Sequence, residues 1–172
     1  MSPRQMMDET CADKVIELLR KYAFAGSNLN IEITESSEMT FNDFTISVIE
    51  ALRAQGVTLA LDDFGTGYSS FNNLKHLPVH YLKTERAFIQ GIERDSYLQY
   101  FIFVLSEIAH AHGMKLVAEG VETKEQLTIA RSNGADYIQG YFFSKPITVE
   151  ELEKQKGRFL YQDNSHIHQR AD

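Results

Sequence analysis

Strand-like and helix-like stretches take turns along this chain to about residue 155, and no other feature limits its possible folds as strongly. "CADKVIELLRKYAFAG" repeats apolar residues at helical spacing, with Ala12, Val15, Leu19 and Tyr22 on one stripe. "NLNIEITE" has the Ile31/Ile33 alternation of a strand. "TFNDFTISVIEALRAQG" predicts a helix with Thr40 as N-cap and Gly56 just past its end. "VTLALDD" and "HYLKTE" are the next strands. "SYLQYFIFVLSEIAHAHG" is a strongly apolar helix with an inner stripe of Phe101, Val104, Leu105 and Ile108. Tyr100 and Phe103 fall outside that stripe and are candidates for a dimer contact. "MKLVAEGVE" is a strand, and Thr123 with Gln126 forms a capping box that opens the helix in "TKEQLTIARSNG". "DYIQGYFFS" is the last strand, and Thr148 with Glu151 opens a final helix in the same way.

Repeated strand–helix units imply a parallel α/β sheet, either doubly wound or of the (β/α) barrel type. Five strands are expected, with a helix before the first. A full eight-stranded barrel takes roughly 250 residues, and this chain has 172. The pattern fades from "QKGRF" onward, so one domain is expected over residues 1–156 and a polar tail over 157–172. His166 and His168 then belong to a frayed terminus.

The bulk properties narrow the function. A net charge of -7 argues against binding long nucleic acid. It is compatible with a small phosphate ligand held through a divalent cation. No apolar run approaches the length of about 20 residues that a membrane helix takes, and "MSPRQMMDET" lacks the apolar core of a secretory signal. Cys11 is the single cysteine, which excludes an internal disulfide and suits a reducing compartment. A cytoplasmic location is expected.

Polar side chains gather at the C-terminal ends of the strands: Glu32 and Glu35, Asp62 and Asp63, Lys83 and Glu85, Glu119 and Glu122, and Gln139. That edge is where parallel sheets bind ligands. Neighbouring strand residues face opposite sides, so Asp62 and Asp63 share a site only if the chain bends there, a freedom that Gly65 and Gly67 supply. Two carboxylates about 5 Å apart repel by roughly 3 kcal/mol at an effective dielectric near 20. A divalent ion would remove that repulsion, and oxygen-only ligands suit Mg²⁺ or Mn²⁺ rather than zinc. Lys83 would then hold a phosphate oxygen or orient a water. The alternative is a set of strand-end ion pairs, with Lys83 pairing Glu119. The "DFG" at 63–65 has no kinase partner motifs, and "GTGYSS" places Ser70 where a dinucleotide fingerprint needs its third glycine.

"NIEITES", "LALDDFGTGYSSFNNLKHLPVHYLKTERAF", "KLVAEGVET" and "DYIQGYFFSKP" together resemble the EAL family of cyclic-di-GMP phosphodiesterases. The resemblance implies a (β/α)8-type barrel and hydrolysis of cyclic di-GMP to the linear dinucleotide with two Mg²⁺ or Mn²⁺ ions. By that resemblance Glu32 is a metal ligand and Asp62 touches both ions. Asp63 and Glu119 are ligands or water contacts at the second ion, and Lys83 stands beside the attacking water. Glu35 anchors the loop after the aspartates, while Glu122 and Gln139 line the pocket. "LKTER" departs from the family's "LKIDR": Thr84 replaces isoleucine, and Glu85 is one methylene longer than aspartate.

The strand bearing the Glu-Ala-Leu signature has no counterpart here, so an incomplete EAL-type barrel is expected, with five parallel strands and flanking helices. It lacks the first three strands and two oxygen ligands. Its two edge strands would carry unpaired backbone groups and its apolar interior would meet water, so a homodimer or a complementing chain is an expected partner. Three roles follow from the resemblance: a weakened hydrolase, a non-catalytic module binding the dinucleotide or a protein, or an inert fragment.

Overall fold

The computed structural model describes residues 1–34, 42–65, 74–75 and 77–154. Glu35, Thr40, Gly67, Ser70, His166 and His168 lie outside the described residues. Helices α1 (Pro3–Met6) and α2 (Cys11–Lys21) lead into β1 (Asn30–Thr34). Then follow α3 (Asp43–Ala54), β2 (Thr58–Phe64), β3 (Tyr81–Thr84) and α4 (Ser96–Ala111). The chain continues through β4 (Lys115–Glu119), α5 (Lys124–Ser132) and β5 (Tyr137–Gln139), and residues 149–154 are helical.

The five strands form one parallel sheet in the order β1-β2-β3-β4-β5. This order never reverses, so there is no switch point of the doubly wound kind. Each crossover steps one strand in the same direction, the pattern of a (β/α) barrel wall.

The period of two sorts the strand residues between two unlike faces. Ile31, Ile33, Leu59, Leu61, Leu82 and Leu116 are buried on the helix-covered face. Against them pack Ile49 and Leu52 of α3 and Ile102, Leu105 and Ala109 of α4. Each such leucine or isoleucine contributes about 1.5–3 kcal/mol by leaving water. On the other face, Asn30, Thr58, Tyr81, Tyr137 and Gln139 border a cavity of about 270 Å³. The rings of Tyr81 and Tyr137 meet edge-on at 5.7 Å. Ala60 and Val117 border the same cavity, so apolar surface stands beside the polar side chains on the uncovered face, and the main apolar core lies beneath the helices.

Other local expectations also change. Asn42 caps α3, its side chain accepting from Thr45 N at 3.0 Å, where the sequence suggested Thr40. The buried stripe of α4 is Ile102, Leu105, Ser106 and Ala109. Phe101, Val104 and Ile108 are only half-buried, because the helix is rotated toward Ser106, whose hydroxyl donates to Asn133 O at 3.0 Å. Tyr22 is 68% exposed and leaves the α2 stripe. The Thr123/Gln126 capping box forms as expected, and Thr148 and Glu151 exchange the equivalent pair of bonds. The free edge of β1 is partly satisfied: the Met1 amino group donates to Glu32 O, and Met1 O accepts from Thr34 N at 3.3 Å.

Candidate active site at the C-terminal mouth of the sheet

Strand parity places Glu32, Asp62, Lys83 and Glu119 on the same, uncovered face of four adjacent strands. Register brings their ends level, since Thr34 pairs with Asp62 and Lys83 with Val117. The four side chains meet. Lys83 Nζ lies 2.7 Å from Glu32 Oε1, 2.9 Å from Glu119 Oε2 and 3.1 Å from Asp62 Oδ1. The pairing of Lys83 with Glu119 is thus one arm of a three-way cluster.

Lys83 is buried, its side chain 5% exposed. Burial alone would push its proton affinity down. The contacts with Glu32, Glu119 and Asp62 outweigh that and hold it above the ordinary lysine value. Lys83 is thus a positive charge set among the three carboxylates. Three carboxylates against one ammonium leave negative charge in excess. Asp62 Oδ1 is buried and is paired with the Lys83 ammonium at 3.1 Å.

The chain does bend at the paired aspartates, but Asp63 itself carries the bend. Its φ is 56°, and the β2–β3 register shifts between Leu61 and Phe64. A non-glycine residue in that region costs about 1–2 kcal/mol, so the fold holds Asp63 there against its own preference. Gly65 follows at φ 105°.

The donor set suits hard divalent cations: oxygen ligands and surplus negative charge. As the side chains stand, the ammonium occupies the centre. Among the described residues, no three acidic, histidine or cysteine side chains converge on a point that could hold an ion.

Beside this cluster lies a cavity of about 620 Å³, bordered by Glu119, Glu122, Gln139, Arg86, Tyr141 and Lys145. Glu119 and Gln139 are register partners on β4 and β5. Two residues here were not read from the sequence as contributors to the site. Arg86 binds Glu122 through Nη2 and lies 5.9 Å from the Tyr141 ring. Its chain crosses Gly120 so closely that a Cβ there would stand 2.3 Å from Arg86 Cγ. The signal was the basic residue ending "LKTER". Thr84, fully buried, accepts a hydrogen bond from Glu119 N at 3.2 Å and ties the end of β3 to the end of β4. The isoleucine usual at that position in the resembling family has no oxygen to do this.

Comparison with known proteins gives a consistent result. The family model described as EAL domain matches residues 1–146. Cyclic di-GMP phosphodiesterase NbdA of Pseudomonas aeruginosa is 41% identical over 145 residues, covering 83% of this chain and 18% of that protein. The solved structure "PaMucR Phosphodiesterase, c-di-GMP complex" superposes with a TM-score of 0.81 at 35% identity, covering 88% of this chain and 62% of that one. The manganese and cyclic-di-GMP complex of Klebsiella pneumoniae BlrP1 gives a TM-score of 0.74 at 29% identity, over 83% of this chain and 36% of that one. The chain therefore spans only part of each protein it matches. Among the described residues, no helix is long and apolar enough to cross a membrane.

Proposed function

This chain belongs to the EAL-domain family, and from that premise we propose that its carboxylate mouth is the cation-binding part of a site for cyclic di-GMP hydrolysis. The observation that carries the reading is that Glu32, Asp62 and Glu119, from three strands, all reach the Lys83 ammonium beside a cavity bordered by Glu122 and Gln139.

Glu32, Asp62, Asp63 and Glu119 would hold Mg²⁺ or Mn²⁺. When bound, such ions supply positive charge at the phosphoryl oxygens and make an attacking water more acidic. Lys83, as an ammonium, offers its N–H groups to a phosphate oxygen or to that water. Gln139 and Glu122 border the space left for the rest of the dinucleotide. Glu35 keeps its proposed role as anchor of the loop after the aspartates.

Strands completing the ring belong at the free edges of β1 and β5, from the same chain or another. Exposed Tyr100 and Phe103 on α4 are the surface proposed for a second copy.

One observation favours a second reading, a module that binds the dinucleotide without cleaving it: Lys83 already ties up three carboxylates. Cyclic di-GMP turnover with Mn²⁺, compared between the chain and Asp62→Ala, decides. Turnover lost in the variant supports a hydrolase. Equal background in both removes it, and calorimetric titration with cyclic di-GMP then tests binding.

A further inference from the structure

Three carboxylates drawn together from three strands repel one another, and here the cation that offsets the repulsion is part of the chain. Lys83 Nζ lies within 3.1 Å of an oxygen of Glu32, Asp62 and Glu119 alike. Its side chain is buried, and the three carboxylates hold the ammonium by charge. The lysine neutralises the group incompletely. The oxygens turn toward the ammonium, and among the described residues no trio of acidic, histidine or cysteine side chains is arranged around an ion-sized point.

From this geometry we propose that Lys83 is a built-in counter-ion, holding Glu32, Asp62 and Glu119 together in the cation-free state and competing with any divalent cation that enters. Binding is then an exchange. The incoming ion takes carboxylate oxygens from the ammonium, which swings toward the open mouth, where a phosphate oxygen can receive its N–H groups. Lys83 thus lowers cation affinity while keeping the site assembled when empty, and it couples cation entry to the appearance of a free donor for the substrate. This inference rests on the reading of the cluster as a divalent-cation site and adds the role of the lysine.

The test is Mn²⁺ binding to the full chain and to Lys83→Met, read by the electron spin resonance signal of free Mn²⁺, with thermal unfolding followed by circular dichroism with and without Mn²⁺. In cation-free buffer Lys83→Met is expected to melt several degrees below the wild type, and Mn²⁺ to restore most of that loss. Its affinity for Mn²⁺ is expected to rise on the order of tenfold, since a positive charge at the centre of the site has been removed. If Lys83→Met does not fold without cation, folding on addition of Mn²⁺, or on adding Glu32→Gln to the variant, gives the same support. Failure to fold under both conditions overturns the proposal. If the wild type binds Mn²⁺ and the variant binds it no more tightly, the counter-ion role is wrong and the cation site stands. If neither binds, both readings fall.

Discussion

The two ends of the sheet solve opposite charge problems. At the C-terminal mouth, three carboxylates share one lysine. At the other end, one carboxylate has more partners than it needs. Asp136, just before β5, is 2.6 Å from His110 Nε2 and 2.8 Å from Lys115 Nζ, and accepts from Leu116 N at 2.9 Å. It pins the end of α4 and the start of β4 to the start of β5, and nothing in that arrangement is left over for a ligand. The mouth is assembled with surplus negative charge. The base of the sheet therefore helps hold the fold together, while the mouth carries negative charge in excess, the division expected of barrel-type sheets.

Removing the base cluster should be the more damaging change. Asp136→Ala is expected to cost about 1–2 kcal/mol, since an acceptor of three donors at the protein surface is lost. That lowers the melting temperature by roughly 2–8 °C for a chain of this size, with Mn²⁺ affinity unchanged in the protein that remains folded. An equal loss of Mn²⁺ affinity would show that the two ends are not independent.

Acid should act through the same residue. Burial disfavours the charged form of Asp136, but the bonds from Lys115, His110 and Leu116 N outweigh it and hold its pKa below the ordinary aspartate value. The sign follows from linkage. The stabilisation is present above the unfolded-state pKa and is lost as pH falls through the lower folded-state value. Unfolding monitored from neutral pH into that range should show a steep acid limb in the wild type and a shallower one in Asp136→Asn.

At the mouth, Thr84→Val deletes the acceptor for Glu119 N without changing side-chain volume much. A loss of about 1 kcal/mol is expected, accompanied by weaker Mn²⁺ binding because the end of β4 is freed. A variant that melts lower but binds Mn²⁺ normally would confine Thr84 to stability. The smallest effect belongs to Glu32→Gln in cation-free buffer, expected within about 1 kcal/mol of the wild type because relief of repulsion offsets the lost ion pair. A loss as large as that of Asp136→Ala would erase the contrast between the two ends.

The strand–helix order, the five strands and the Thr123 capping box were legible from local pattern, because period and capping chemistry act within a few residues. So was the membership of Glu32, Asp62, Lys83 and Glu119 in one mouth, since parity and strand ends determine which side chains can meet. The helix rotation that buries Ser106 was not, because it depends on the Asn133 carbonyl 27 residues away. Arg86 and Thr84 were missed as contributors for the same reason. Their partners, Glu122 and Glu119, lie 36 and 35 residues further along the chain.

The sequence by itself determined which elements form, in what order, and which side chains share a face, because those follow from short-range periodicity. Only the tertiary structure decided which face of the sheet the helices cover, that Asp63 itself carries the bend, and that one buried lysine stands among three acids. Those outcomes depend on how strands distant in sequence come into register, and electrostatic energy depends on the resulting distances through space.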